Sequence, residues 1–115
     1  MKSMNDTIID TSYSKIFDRC YKLEGKEVKK CNNVDEILST FDLKNRKIKQ
    51  TVVSGKLVST VFLVLDHNFS GKGNPILFES LVFPEVEIME RYQTYDQAIQ
   101  GHEELVKKIE NEIHG

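Results

Sequence analysis

An unbroken apolar run, Val61–Leu65, is the feature that most constrains how this chain can fold. A strand with one face in water alternates apolar and polar side chains, so an uninterrupted run is typical of a strand covered on both faces. We therefore place the predicted strand Lys56–Asp66 in the middle of a sheet, with a helix on one face and a partner chain or a second layer on the other. The run ends in Asp66 and His67, where a glycine-bearing loop begins.

The remaining pattern predicts an α+β fold: a hairpin, a short helix, a three-stranded antiparallel meander, and a long C-terminal helix packed on one face of the sheet. We expect residues 1–13 to be a flexible N-terminal arm and residues 14–115 to be a single domain. The predicted strands are Ser14–Leu23, Lys26–Lys30, Lys47–Val53, Lys56–Asp66 and Pro75–Phe83, with turns at Glu24-Gly25 and Ser54-Gly55. The predicted helices start at the cap Asn33 and at the capping box of Thr94 and Gln97, and the second one runs from about Tyr95 to Ile113.

Composition excludes several classes of function. The chain has 115 residues and a net charge of −2, which argues against a dedicated DNA-binding protein. No apolar run approaches the roughly 20 residues that cross a bilayer, and the N-terminus lacks a secretion signal. The two cysteines, Cys20 and Cys31, form no CxxC motif, which favours the cytoplasm. They could face each other across the first hairpin, but we favour two unrelated thiols.

Glu79 interrupts the last predicted strand. If the loop 67–74 joins a simple hairpin, Glu79 lies opposite Phe62, although a register slip of one residue is the alternative. Burying an isolated carboxylate costs several kcal/mol or more unless the carboxylate is paired. We expect Arg91 or His102 to be its partner.

His102 lies on the apolar stripe of the last helix, directly after Gly101. A glycine inside a helix costs about 1 kcal/mol relative to alanine, so we expect a close approach of helix and sheet to compensate. His102 would then face the sheet or a cleft. It is either a core histidine that donates to a backbone carbonyl or to Glu79, which we favour, or a ligand contact.

Asp66 and His67 have two interpretations as well. An acid that orients an imidazole suits catalysis or ligand contact. An Asx turn, in which Asp66 accepts loop amides while His67 sits in solvent, is the simpler explanation. The following loop SGKGN favours a flexible hairpin tip over an anion nest in which Lys72 would add a charge for a phosphate.

Standard enzyme and metal patterns do not occur. The histidines His67, His102 and His114 lack metal-site spacing such as HExxH, and the chain has no GxSxG elbow. We therefore expect neither a metal site nor a cofactor.

Three blocks of the chain, VSTVFLVLDHNF, PILFESLVF and RYQTYDQAIQGH, resemble a family of small proteins encoded by tailed bacteriophages and prophages. The corresponding family pattern is VSTV-[FW]-LGLDH-F, P-L-[IL]-FET-M-[VI]-F and RY-T---A--GH, and CYKLEGKEVK stands where the family has a YD-DG-PI hairpin. The chain departs from this pattern at Val64, where the family has glycine, at Ser80, where it has threonine, and at Glu24, where it has aspartate. The resemblance implies a phage accessory protein made in the infected cell, from a family without an established enzymatic activity. The family blocks fall on Ser59, Thr60, Asp66, His67, Phe69, Glu79, Arg91, Tyr92, Gly101 and His102.

These observations support three hypotheses about function. The first is a protein of the host cytoplasm that counters host defence by sequestering a nucleotide-type signal such as a cyclic nucleotide. It would be a homo-oligomer, because an apolar strand covered on both faces offers an interface. Its expected ligand-binding residues are Thr60, Asp66, His67, Lys72, Glu79, Arg91, Tyr92 and His102.

The second hypothesis is a structural or interaction module that binds a host or phage protein. Here the carboxylate of Glu79 pairs with Arg91, His102 is a satisfied core residue, and function lies on a surface patch. The third is a small phosphodiester-cleaving enzyme with Asp66, His67 and Glu79 as acid–base groups, and neither a nucleophile nor a metal pattern supports it.

Overall fold

The computed structural model describes residues 18–86 and 89–114, and it confirms the α+β fold. The predicted arm at residues 1–13 lies outside the described residues. In chain order the elements are β1 (Tyr21–Glu24), β2 (Glu27–Lys30), α1 (Val34–Phe41), α2 (Leu43–Arg46), β3 (Lys47–Val53), β4 (Lys56–Phe62), β5 (Phe78–Phe83), β6 (Met89–Tyr92) and α3 (Tyr95–His114).

The first hairpin forms from charged strands that turn at Gly25. Its φ of 62° lies in the left-handed region, which glycine enters without a steric cost. An ion pair from Lys29 on β2 to Glu24 on β1, at 3.0 Å, links the two strands, and Lys22 on β1 lies 3.1 Å from the same carboxylate. The predicted hairpin is therefore confirmed, although β1 begins at Tyr21 instead of Ser14 because residues 18 and 19 are helical.

Cys20 and Cys31 lie at the open end of this hairpin and touch each other. The two sulfur atoms are 3.4 Å apart, both residues are buried, and both thiols are free. The strand pairing continues one step past β1 and β2, since the Cys31 amide donates to the Cys20 carbonyl at 3.1 Å. Our interpretation of two unrelated thiols is wrong.

The cap of α1 forms where the sequence predicts it. The side chain of Asn33 accepts a hydrogen bond from the Glu36 amide at 2.9 Å. The Glu36 carboxylate accepts in turn from the Asn32 amide at 2.6 Å, one residue before the usual partner of a capping box. Most of the apolar face of this helix stays exposed: Val34, Leu38 and Phe41.

The main sheet has the order β3-β4-β5-β6 with every pair antiparallel. The interior position of β4 is confirmed. The turn at Ser54 and Gly55 is confirmed too, with φ values of 52° and 78° that match a type I′ hairpin turn. The sheet has a fourth strand, Met89–Tyr92, in a segment that the sequence analysis treated as a connection.

β4 ends at Phe62, four residues before the predicted end, because the chain turns sharply at Val64. Val64 has a φ of 74°, and the Leu65 amide donates to the Leu63 carbonyl at 2.8 Å, which matches a γ-turn. A β-branched residue at positive φ is rare and strained. The burial of the Val64 side chain and the hydrogen bond that the Tyr21 amide donates to the Val64 carbonyl offset that strain. The turn directs the following chain into the loop that begins at Asp66.

α3 starts at the predicted capping box. The Gln97 amide donates to the Thr94 hydroxyl at 3.1 Å, and the Thr94 amide donates to the Gln97 side chain at 3.3 Å. The predicted apolar stripe is confirmed for four buried residues: Ala98, His102, Leu105 and Ile109. Among the described helices, none combines the length and the apolar character needed to cross a membrane.

The sheet has two distinct faces. The inner face packs against α3, and its central residues are Val58, Thr60, Phe62, Phe78, Ser80 and Val82. The outer face carries the alternate residues Gln50, Val52, Leu57, Ser59, Val61, Glu79, Leu81, Phe83 and Arg91. Leu57, Val61 and Leu81 are half-buried there, and Val52 is 75% exposed.

Candidate functional site

Glu79 and His102 lie on opposite faces of the sheet. Phe62 pairs with Phe78 and Val61 pairs with Glu79, so the register differs by one residue from the predicted one. Because strand side chains alternate between faces, this slip moves Glu79 from the expected inner face to the outer face. The expected contact between Glu79 and His102 is therefore wrong, and these residues share no pocket.

His102 is fully buried between α3 and the inner face. Its Nδ1 lies 2.7 Å from the hydroxyl of Thr60, and its Nε2 lies 2.7 Å from the hydroxyl of Thr51. The Thr60 hydroxyl also contacts that of Ser80. We call these four residues the polar chain. The prediction of a core histidine is confirmed, but its partners are hydroxyl groups.

Electrostatics keep this histidine neutral. Burial lowers the pKa of His102, and nearby Lys49 lowers it as well, while Glu103 acts in the opposite direction. Lys49 on β3 forms an exposed ion pair with Glu103, the residue that follows His102 on α3. A neutral imidazole has one donor and one acceptor nitrogen, and the hydroxyl of a threonine satisfies either kind. Both nitrogens of His102 are therefore engaged internally, and neither is available to a ligand.

Tyr92 packs against the helix backbone at Gly101. A Cβ atom at position 101 would overlap the Cε1, Cζ and Oη atoms of the tyrosine, so only glycine fits this close approach. The close approach of helix and sheet, which we expected to compensate for the cost of a glycine inside α3, is thus confirmed. The tyrosine lines a groove of about 210 Å3 together with Glu90, Gly101, Glu104, Leu105 and Lys108.

The hydroxyl of Tyr92 is buried and makes no hydrogen bond within the part of the chain that the structure describes. Burial raises the pKa of Tyr92, and the neighbouring Ser80 hydroxyl partly offsets this effect. Tyr92 thus lies next to Ser80 at the edge of the groove, on the face of the sheet away from Glu79.

The predicted partner of Glu79 is Arg91, directly opposite on β6, and the structure confirms it. The Nε atom of Arg91 donates to a carboxylate oxygen of Glu79 at 3.0 Å. The Glu79 side chain is 14% exposed and that of Arg91 is 38% exposed. The pair therefore sits at a sheet surface, where an ion pair contributes little to stability.

Asp66 organises the base of the loop that follows the Val64 turn. One oxygen of its carboxylate accepts from the Asn68 amide at 2.7 Å and from the Ile76 amide at 2.9 Å. This is the predicted Asx-type arrangement, and it ties the two ends of the loop together. The ring of His67 donates from Nδ1 to the Leu65 carbonyl at 2.7 Å. Asp66 therefore does not orient the imidazole, and His67 is half-buried instead of free in solvent.

Asn68 fixes the tip of the same loop. Its amide group donates to the carbonyls of Lys72 and Asn74 at 2.7 and 2.8 Å, and its oxygen accepts from the Ser70 amide at 3.1 Å. The Lys72 amide donates to the Ser70 hydroxyl at 3.2 Å. The amides of Ser70 and Lys72, which an anion nest would point at a ligand, thus donate to atoms of the loop itself. The sequence predicts a flexible tip, but hydrogen bonds from the Asn68 side chain fix it. Lys72 itself is exposed.

Phe69 projects from this loop with 74% of its surface exposed. The guanidinium of Arg19 lies over the ring, 4.5 Å from the centroid. The ring of His67 meets the Phe69 ring edge-on, with 6.0 Å between centroids. The Arg19 side chain also donates to the Asp66 carbonyl, which anchors it to the loop. We call Arg19, His67 and Phe69 the loop cluster.

The predicted ligand residues therefore fall in three separate places. Thr60, His102 and Tyr92 lie on the inner side, Glu79 and Arg91 on the outer face, and Asp66, His67 and Lys72 on the loop. Sequence analysis missed Arg19, which carries no local signal, and left Phe69 outside the expected site although Phe69 falls in a family block. Across residues 18–86 and 89–114, no three His, Cys, Asp or Glu side chains are grouped to hold a metal ion.

Comparison with known proteins adds no further assignment. No family model, no curated protein and no solved structure matches this chain.

Proposed function

We propose that this protein binds a nucleotide-type anion stoichiometrically at the loop cluster. The observation that carries the proposal is the exposed ring of Phe69, held between the guanidinium of Arg19 and the imidazole of His67. A base stacks on the free face of Phe69, and the phosphate lies near Lys72.

The chemistry of the cluster fits such a ligand. Stacking of a base on an aromatic side chain contributes about 1–3 kcal/mol and tolerates any base, because every base has a π-face. Arg19 supplies a permanent positive charge next to the ring, which favours an anion. The Nδ1 of His67 donates to the Leu65 carbonyl, so Nε2 is left as an acceptor that a ribose hydroxyl or a base N–H group can reach.

Hydrogen bonds within the loop fix its conformation in the absence of a ligand. Asp66 ties its ends together, and Asn68 fixes its tip through three hydrogen bonds to backbone atoms. A preformed loop loses little conformational entropy when it binds, which favours affinity on a small contact area.

Capture is favoured over cleavage by the surroundings of these residues. The carboxylate of Asp66 is used by backbone amides, and Glu79 lies on the outer face. The resemblance to bacteriophage proteins supports a role in the host cytoplasm, in which the protein sequesters a nucleotide signal of host defence.

A thermal-shift panel tests this proposal. Cyclic and linear nucleotides, nucleosides and inorganic phosphate are compared, and a ligand at 100 times its Kd raises stability by about 2.7 kcal/mol. We expect nucleotides to raise the Tm while phosphate alone does not, and chromatography after heat release to recover the ligand intact. A panel without any shift would refute the proposal, and recovery of an altered ligand would favour an enzyme.

A matched pair of variants locates the binding. Phe69→Ala removes the stacking ring, and Val52→Ala removes an equally exposed apolar side chain on the outer face. We expect only the first variant to lose a large part of the shift, about half of it at 100 times the wild-type Kd.

A protein-binding module is the second candidate, and one observation favours it. Apolar side chains occupy the outer face of the sheet, where an antiparallel sheet facing water normally carries polar ones.

A further inference from the structure

We infer that the outer face of the sheet is a dimer interface that joins two copies of this chain around a two-fold axis. The inference is independent of the loop cluster, which lies beyond the end of β4.

The first observation is the apolar character of the outer face. Leu57 pairs directly with Phe83, and Leu81 pairs with Ser59 on the neighbouring strand. Together with Val61, these apolar residues surround Ser59 and form a largely apolar surface across the two central strands. Phe83 is 36% exposed, and the three aliphatic residues are half-buried by their neighbours. A partly exposed apolar patch on the face of a sheet favours an interaction surface.

The second observation is charge, and it selects the partner. Glu79 and Arg91 add one negative and one positive group to the apolar surface, next to Val61. The Glu79–Arg91 pair has no net charge of its own, while Lys47 opposite Val61 adds a positive charge at the edge of the face. A second copy of the pair is complementary when a two-fold axis places each Arg91 beside the opposite Glu79.

The ion pair within one copy leaves further hydrogen-bonding atoms of Arg91 and Glu79 for contact with the second copy. Arg91 uses Nε for Glu79 Oε2. In the described part of the chain, its two terminal nitrogens and the second carboxylate oxygen make no other hydrogen bond. A guanidinium has five donors, so one Arg91 can bridge its own Glu79 and that of the second copy.

The size of the face indicates how strong this dimer is. The four strands have seven, seven, six and four residues, so a spacing of about 4.8 Å and a rise of about 3.3 Å per residue give a face of roughly 19 by 20 Å. Two such faces bury roughly 800 Å2 in total, which is well below the value of about 1,200 Å2 at which stable interfaces begin and in the range of weak, transient ones. We therefore expect a weak dimer with a micromolar Kd, with the two sheets stacked about 10 Å apart.

Sedimentation velocity on the full chain from about 5 to about 500 µM brackets a micromolar Kd and tests the inference. We expect wild type to shift from monomer to dimer. Glu79→Arg and Arg91→Glu each give the 79–91 pair a net charge, so each variant alone stays monomeric. An equimolar mixture of the two variants pairs opposite charges and restores the dimer.

Lys108→Glu is the control, because it reverses a charge on the solvent-exposed side of α3, on the other side of the sheet from this face. We expect this variant to dimerise as wild type does. Circular dichroism confirms that each variant is folded. Wild type that stays monomeric at 500 µM overturns the inference, and so do single variants that dimerise as wild type does.

Discussion

Arg19 and Phe69 form a cation–π contact, with the guanidinium carbon 4.5 Å from the ring centroid. The contact covers one side of a ring that stays 74% exposed, so the aromatic side chain is positioned but not buried. A ring held in this way contributes little to the core, and it offers a rigid flat surface to a planar ligand.

The first prediction concerns Phe69. Phe69→Ala should weaken nucleotide binding about tenfold, which corresponds to about 1.4 kcal/mol of stacking. The free energy of unfolding should change by less than about 0.5 kcal/mol, because the side chain is exposed. Phe69→Tyr keeps the ring and should bind as wild type. Isothermal titration calorimetry measures the affinities, and equal affinity of the alanine variant would exclude stacking.

The second prediction concerns His102 and pH. Burial holds the pKa of His102 below its usual value of about 6.5, so the unfolded chain binds a proton that the folded chain does not. The stabilising effect of the neutral imidazole is therefore complete above pH 6.5. It is lost as pH falls from 6.5 towards the folded-state pKa, with a slope of at most about 1.4 kcal/mol per pH unit.

Urea denaturation of wild type and His102→Gln between pH 8 and pH 5 measures this slope. Glutamine can bond to both threonines and does not titrate. The variant should be less stable at pH 8, and its curve should be flatter between pH 6.5 and 5. Parallel curves would show that another group causes the pH dependence.

The third prediction concerns Gly101. Alanine in a helix is normally about 1 kcal/mol more favourable than glycine. Here Gly101→Ala should instead destabilise by about 1–3 kcal/mol, because the added methyl overlaps the ring of Tyr92. Tyr92→Ala removes that ring, so Gly101→Ala should cost much less in that background. Equal costs in both backgrounds would contradict the close approach.

The fourth prediction concerns the adjacent thiols. Burial, assisted by the Cys31 side chain, raises the pKa of Cys20 to about 12, so the reactive thiolate is scarce at neutral pH. Iodoacetamide should label neither cysteine of the native protein on the timescale on which it labels both in urea. Mass spectrometry of the quenched mixture counts the labels, and rapid native labelling of Cys20 would contradict its burial.

Local signals account for the parts of the fold that the sequence predicts well. The caps at Asn33 and Thr94, the glycine turns and the stripe of α3 each depend on residues a few positions apart. β6 has no such signal, since MERY shows no apolar alternation and pairs only because β5 lies beside it.

The site was harder to predict because both faces of β5 carry apolar and polar residues. Phe78, Ser80 and Val82 alternate with Glu79, Leu81 and Phe83, so either set could face the core. The actual register places Ser80 next to Thr60 and sends Glu79 outward. The contact of Arg19 with Phe69 depends on the tertiary fold and leaves no trace in local sequence.

The position of the ligand tests the central claim most directly. The backbone amides of 15N-labelled protein are followed by NMR while the nucleotide with the largest thermal shift is added, with ribose 5-phosphate as a control that lacks the base. We predict the largest shifts at Arg19 and residues 67–74, and little change at Glu79, Arg91 and His102. Shifts centred on the outer face or on the Tyr92 groove, or equal effects of the base-free control, would contradict binding at the loop cluster.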